Sequence, residues 1–319
     1  PEPSGRGVAA LPRGRARQGP RLGALVRRNE PFVLRGHLGR ESLEAWSPEA
    51  VRRLAGDVEL EVRSAGFAAA AGGASIFHDP ADLRGGGADS GRHRVNVTVS
   101  GLFQNLSRLA AVSKEMVDGA SADACGAGSA ELPGGTALYG AQIDVDDRRI
   151  PQLAQIVPPL DAELAAALGP ASPTAASTVY IGAARPRSKL HYDSRENLLC
   201  LVHGGHKEVL LVDPLVAAAV LYVNQTEHGN ASPVSLFELR ERGGEPPQEF
   251  PLARYAVPSA VTVRAGDCLY IPIYWFHEVL GSAEVTISLN WWRQPDPGKK
   301  DILGRLLCGS RHKRAAMTC

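Results

Sequence analysis

The chain lacks any apolar stretch near the roughly 18 residues that a membrane-crossing helix needs, so its 319 residues, 44% of them hydrophobic, are expected to form one soluble enzyme domain with extensions. Cysteine is scarce. Cys125, Cys200, Cys268, Cys308 and Cys319 are odd in number and contain no CxxC pair, which argues against a zinc ribbon and against a disulfide framework. Cys200 and Cys268 fall in strand-like runs, where the role of a small buried apolar side chain is expected. There is no P-loop, no GxGxxG in a dinucleotide-binding context, no internal repeat, no zinc finger and no chromatin-reading motif. No signal peptide is visible, which makes a cytoplasmic or nuclear location the default. A secretory compartment stays open, because four Asn-x-Ser/Thr sequons begin at Asn96, Asn105, Asn224 and Asn230 and the first residue is not Met.

Net charge is also nearly absent, at +1, but its distribution is uneven. Seven arginines and one acid lie between Pro1 and Arg28, and six Lys or Arg and one acid between Lys299 and Cys319, leaving 22 basic against 32 acidic residues in the body. The body is acidic and the ends are basic. The first segment, rich in Gly, Pro and Arg, reads as a disordered basic tail, with nucleic-acid contact left open on charge alone. In the last, Ile302, Leu303, Leu306 and Leu307 recur at helical spacing, which predicts a short amphipathic helix on the body and raises homodimerisation through it.

Against these absences stands His191-Tyr192-Asp193, followed far downstream by His277. On a strand, residues two apart share a face, so His191 and Asp193 point together and Tyr192 points away. Two imidazoles and one carboxylate can occupy one face of a metal and leave the other positions open, the arrangement that non-heme Fe(II) uses for a co-substrate and O2. The surroundings read as strands: Ser177 to Ile181, Asn197 to Val202, Cys268 to Ile271 after the turn Arg264-Ala265-Gly266-Asp267, and Trp275 to Val279. Lys207, at the turn into the strand Val209 to Val212, fits either a solvated hairpin lysine or an anchor for a dicarboxylate such as 2-oxoglutarate. That strand is expected to pair antiparallel with the one after the metal motif. Asn290 is an amide inside an otherwise apolar strand, where an unpartnered polar group costs about 1–3 kcal/mol, so it points to a ligand, a water or backbone. Asn197 opens another apolar strand, and a cap or turn role fits it equally.

From about Tyr139 to Pro295 the chain resembles the JmjC domain of the cupin-like 2-oxoglutarate/Fe(II) oxygenases, and within them the small JmjC protein hydroxylases. The matching text is Ser188-Lys189-Leu190-His191-Tyr192-Asp193, Glu196-Asn197-Leu198-Leu199-Cys200, Gly205-His206-Lys207, Gly266 to Pro272, Trp275-Phe276-His277 and Leu289-Asn290-Trp291-Trp292. These occur in the family's order over about half the chain. The resemblance implies a mainly β fold, a double-stranded β-helix or jelly roll, with a flanking α/β N-terminal region and a C-terminal helix. It implies iron on His191, Asp193 and His277, and 2-oxoglutarate on Lys207 with Ser188 and Tyr139. Asn197, Asn290 and Trp292 would line the same pocket. Two departures stand out: an extra glycine in Gly204-Gly205, which could turn His206 inward in place of Lys207, and Lys189 beside the iron motif.

The expected organisation is a tail over 1–28, an α/β region over 29–135, a barrel over 136–297 with an insertion over 215–258, and a basic helix or tail over 298–319. Within it, Pro31 to Leu34 and Val58 to Val62 read as strands, Ser47 and Asp161 as helix starts, and Leu102, Leu106, Leu109 and Ala110 as a covering helix. Gly169-Pro170 reads as a helix stop, and 68–91 as a flexible surface loop. In the insertion, Leu215 to Tyr222 reads as helical and the rest as loop. His203, His206 and His228 read as surface residues. Three classes of function compete. The first is a dioxygenase that uses Fe(II), 2-oxoglutarate and O2 to hydroxylate a protein side chain, with demethylation or RNA hydroxylation as sister outcomes. The second is a non-oxidative metal-binding cupin, an isomerase or sensor. The third is a catalytically dead barrel acting as an interaction module. The intact triad argues against the third, and Lys207 with Asn290 favours the first over the second.

Overall fold

Short runs of aliphatic and β-branched residues punctuated by Gly, Pro and Asp dominate the chain. In the computed structural model, which describes residues 8–12, 19–68, 93–119, 131–145, 150–173, 176–223 and 230–308, these runs form strands. The N-terminal half contains β1 (Ala9–Pro12), α1 (Gly19–Arg27), β2 (Phe32–Arg35), α2 (Arg40–Ala45), α3 (Pro48–Ala55), β3 (Glu59–Ala68), β4 (His93–Thr98), α4 (Val99–Gly119), β5 (Glu131–Asp144), α5 (Pro151–Gln155) and α6 (Ala162–Leu168). The C-terminal half contains β6 (Ser177–Gly182), β7 (Glu196–His203), β8 (His206–Val212), α7 (Pro214–Val220), α8 (Leu236–Glu241), β9 (Ser259–Arg264), β10 (Cys268–Ile271), β11 (Phe276–Gly281), β12 (Thr286–Arg293) and α9 (Pro297–Cys308).

Two sheets face each other. Among the described residues the larger has nine strands in the order β1-β2-β10-β7-β12-β6-β5-β3-β4, and the smaller has β11-β8-β9. The protein is thus mainly β, a cupin-like jelly roll with helices on its outer faces. The period of two along each strand divides the core. On β7, Leu199 and Leu201 turn inward to meet Val209, Leu211, Val261, Val263 and Leu269 between the sheets. Leu198, Cys200 and Val202 turn outward into the layer built with α1, α3 and α4, where Leu22, Val51, Leu102 and Leu106 are buried. A third cluster behind the small sheet packs Leu190, Tyr192, Leu210 and Phe276 against Leu236 and Phe237 of α8.

Several local readings hold in detail. Ser47 caps α3, its Oγ accepting from Ala50 N at 3.2 Å, and Asp161 caps α6, its Oδ1 accepting from Leu164 N at 2.7 Å. Gly169 closes α6 at φ +80°. α4 and α9 are present, and α9 packs against α7.

Three expectations are corrected. The tail over 1–28 is not disordered throughout: β1 pairs in parallel with β2, and α1 buries Leu22, Leu25 and Val26. Helical spacing of those three residues outweighs the surrounding Gly, Pro and Arg. The region over 29–135 packs on the barrel and shares its large sheet, because β3 and β4 extend that sheet beyond β5 and β2 joins β10. β8 pairs with β9 and β11 and not with β7, since the turn at Gly204-Gly205 carries the chain into the opposite sheet. Finally, Cys200 and Cys268 are register partners across β7 and β10 and are joined as a disulfide. Sequence separation of 68 hid that pairing. The insertion also holds more than a loop, namely α8 and a 3-10 turn over Pro251–Tyr255. The loop over 68–91, apart from Ala68 at the end of β3, lies outside the described residues, as do His228 and the whole of 309–319.

Candidate metal centre

Leu190 and Tyr192 are drawn outward into the cluster behind the small sheet, Tyr192 packing edge-on against Tyr274 and Phe276 at 5.4 and 5.0 Å between centroids. Alternation then turns His191 and Asp193 inward. His191 meets His277 as an isolated antiparallel bridge, His191 N donating to His277 O at 3.1 Å and His277 N to His191 O at 2.7 Å. Asp193 is fixed by Tyr274 N, which donates to its carbonyl at 2.9 Å. Backbone pairing therefore brings two distant segments into one site.

Each imidazole is oriented by the same device. His191 Nδ1 lies 2.7 Å from Lys189 O and His277 Nδ1 lies 3.0 Å from Trp275 O. A proton on Nδ1 satisfies each carbonyl and leaves both Nε2 lone pairs free, as metal-ligating histidines require. His191 Nε2 stands 3.9 Å from Asp193 Oδ1, and His277 Nε2 stands 3.5 Å from Asp193 Oδ2. Two ligand atoms each about 2.1 Å from one ion lie at most about 4.2 Å apart, and both separations fall inside that bound. The three ligand atoms all lie within 4.8 Å of one another, so a small side-chain rotation brings the remaining pair into range.

Charge supports the same reading. His277, 4% exposed at its side chain, is held down to about 4, first by burial and then by the neighbouring His191, with Asp193 and the Trp275 carbonyl opposing. It is neutral at pH 7, the form that binds a metal. Asp193 Oδ2 is buried and accepts no hydrogen bond. A buried carboxylate oxygen with no hydrogen-bond donor is a costly arrangement that a cation relieves. The side chains of His191 and Asp193 remain 29% and 20% exposed, so the open side faces solvent.

Deeper in the barrel, Lys207 is 5% exposed and points inward, whereas His206 is exposed. Gly204, at φ +98°, and a register shift between Ile287 and Ser288 absorb the extra glycine. Lys207 Nζ donates to Ser288 Oγ at 2.8 Å and lies 6.0 Å from the Tyr180 ring centroid. Burial lowers its pKa to about 8. Asn290 Nδ2 donates to Asn197 Oδ1 at 3.0 Å while Asn290 Oδ1, buried, accepts nothing. Trp292 Nε1 donates to Thr178 Oγ1 at 2.9 Å. Tyr139 and Tyr180 lie 6.4 Å apart at their centroids. Burial raises Tyr139 to about 12, opposed by Arg63. Tyr180 is pushed up further, by burial and then by Asp193 and Tyr139, with a side-chain hydrogen bond to Gln142 and the charge of Arg63 opposing. Both phenols keep their protons and can donate.

Ser188 is tied to the backbone on either side of the site. Its Oγ accepts from Val279 N at 2.9 Å and donates to Lys189 O at 3.2 Å, so it pins the metal segment to β11. Sequence reasoning missed Thr178, Tyr180, Gln142 and Ser288. The signal was available for three of them: Thr178 shares a strand face with Tyr180, and Ser288 with Asn290 and Trp292, each at spacing two.

The cupin-like domain family matches residues 22–299. Over 117 residues the chain is 36% identical to the lysine-specific demethylase JMJ31 of Arabidopsis thaliana, covering 36% of this chain and 20% of that protein. It is 31% identical over 114 residues to Jumonji C domain-containing protein 5 of Drosophila melanogaster, covering 35% of this chain and 26% of that protein. It is 33% identical over 127 residues to the bifunctional peptidase and (3S)-lysyl hydroxylase JMJD7 of Homo sapiens, covering 35% of this chain and 40% of that protein. The matched part is thus well under half of each relative. A match spanning most of the jelly roll, together with the convergence of His191, Asp193 and His277 inside it, leads to one conclusion: the chain belongs to the cupin-like domain family and is a JmjC-type, 2-oxoglutarate oxygenase-like protein.

Proposed function

We propose that the protein is an Fe(II)- and 2-oxoglutarate-dependent dioxygenase that hydroxylates a protein side chain. The observation that carries this reading is a His-Asp-His ligand set sharing a barrel with a buried ammonium that has only a hydroxyl for a hydrogen-bond acceptor among the described residues. A metal-only cupin has no use for that ammonium. A dicarboxylate answers it, because an anion restores the charge interaction that burial denies Lys207.

When bound, Fe(II) with 2-oxoglutarate and O2 supplies oxidative decarboxylation to succinate and CO2 coupled to hydroxylation of a C–H bond. His191, Asp193 and His277 hold the metal, the two imidazoles fixed in orientation by the Lys189 and Trp275 carbonyls. Lys207 takes the distal carboxylate of 2-oxoglutarate, with the protonated Tyr139 and Tyr180 as further donors. On β8 it lies opposite Gly281, four residues and about 13 Å along β11 from His277. Asn197, Asn290 and Trp292 line the space between. Their network of amide and indole bonds holds the wall rigid, and Asn290 Oδ1 remains to accept a hydrogen bond from a ligand or water. The solvent-facing side of His191 and Asp193 is where substrate enters. A protein substrate is supported by the names of two relatives, a lysine-specific demethylase and a lysyl hydroxylase. We further propose homodimerisation through α9; nucleic-acid contact has no support beyond the basic ends.

Anaerobic reconstitution with Fe(II) followed by titration with 2-oxoglutarate tests the reading. A weak visible charge-transfer band should appear in the wild type and be lost in His191→Ala and Asp193→Ala, together with substrate-stimulated succinate formation. Metal binding without the band moves the protein to the non-oxidative class, and unchanged turnover in either variant removes the ligand assignment.

A further inference from the structure

The chain has seven asparagines, and 29 of its 319 residues are Ser or Thr, so composition alone places about 0.6 Asn-x-Ser/Thr sequons in it. It has four. The three asparagines outside sequons are all committed to the fold or the pocket: Asn29 Nδ2 donates to Ile273 O at 3.2 Å, and Asn197 and Asn290 bond each other. Of those in sequons, Asn105 Oδ1 accepts from Leu138 N at 3.2 Å and Asn230 Nδ2 donates to Tyr192 O at 2.9 Å. Asn224 lies outside the described residues.

Asn96 differs from these. It sits on β4, the last strand of the large sheet, and its side chain is exposed. Val95 and Val97 pack against the core, which turns Asn96 to the solvent face beside its register partner Glu61 and the Glu61–Arg94 ion pair. Nothing among the described residues bonds its amide. β4 belongs to the large sheet, whereas His277 is carried by β11 of the smaller one.

A second, independent observation concerns redox state. The Cys200–Cys268 disulfide lies wholly inside the core. Such bonds form and persist in oxidising compartments and are rare where thiols are kept reduced. We propose that the protein matures in an oxidising, glycosylating compartment, in place of the cytosolic or nuclear default, and carries an N-linked glycan on Asn96. In that step the Asn96 Nδ2–C1 bond forms, the C1–O bond to a lipid-linked oligosaccharide pyrophosphate breaks, and the amide gives up one proton. The disulfide forms as both thiols give up their protons and two electrons to a disulfide-bearing oxidant, which is reduced to a dithiol. This inference is independent of the iron chemistry.

Protein isolated from the cells that make it is digested with trypsin without reduction, then treated with N-glycosidase in heavy-oxygen water. Cleavage after Arg94 and Arg108 yields one peptide containing both Asn96 and the bonded Asn105, an internal comparison. Expected are a heavy-oxygen aspartate at position 96 and a linked Cys200–Cys268 peptide pair. An unmodified Asn96 in that peptide, or free thiols at the two cysteines, overturns the proposal.

Discussion

Lys207 carries most of what single residues can be asked to reveal. Its ordinary pKa of 10.5 falls to about 8 in the fold because burial disfavours the ammonium. Between those values the unfolded chain binds more protons than the folded one, so stability rises with pH across that interval. The penalty is fully present below about pH 8 and is relieved on the way to pH 10.5. Without 2-oxoglutarate, the stability difference between wild type and Lys207→Met should therefore shift in favour of wild type by about 3 kcal/mol over this range, as read from urea midpoints. With 2-oxoglutarate the dependence reverses in meaning: affinity should weaken above pH 8, as the ammonium that pairs with the carboxylate is lost. A flat binding profile from pH 7 to 9 would remove Lys207 from the pocket. The neighbouring amides and Tyr180 supply no comparable pH signature.

Individual elements reach the site through their ends. Glu196, at the start of β7 and almost fully buried, accepts from Tyr270 Oη at 2.6 Å, Ile273 N at 2.9 Å and Lys299 Nζ at 2.6 Å. Lys299 also donates to Val26 O at 2.8 Å, so α9, α1 and β7 are clamped at one point. Removing one partner of a buried ion pair leaves the other uncompensated, and Lys299→Ala should cost about 3–5 kcal/mol, visible as a lowered denaturant midpoint. The turn into β8 is a second such end. A Cβ on Gly204 would lie 2.4 Å from Val285 O at a φ of +98°. Gly204→Ala should therefore weaken 2-oxoglutarate binding more than metal binding, because Lys207 depends on this turn and the triad does not. Equal loss of both would contradict that division.

At the scale of the whole molecule the disulfide and α9 matter most. Closing a loop across the 68-residue separation of Cys200 and Cys268 stabilises by about 2–4 kcal/mol through the unfolded state. Denaturant midpoints measured with and without a reductant able to reach the unfolded chain should differ accordingly. For the proposed dimer, equilibrium sedimentation of the chain truncated after Pro297 should halve the mass, and an unchanged mass would exclude α9 as the interface.

Much of the fold and half of the site were legible in the residues. Runs of β-branched, aliphatic and aromatic residues identified most of the strands from β6 to β12, helix caps appeared at Ser47 and Asp161, and spacing two placed His191 and Asp193 on one face. These are local properties, fixed by covalent geometry and by the apolar pattern within a few residues. What the sequence could not decide was long-range. The inward direction of Lys207 depended on how a glycine turn met a register shift on another strand. The union of Cys200 with Cys268, the use of Ser188 as a backbone tie and the recruitment of Tyr180 and Ser288 all depend on which strands lie side by side. Strand neighbourhood is set by the closure of two sheets over a shared core, and no window along the chain contains it. The sequence determined the chemistry on offer; the tertiary structure decided which groups meet.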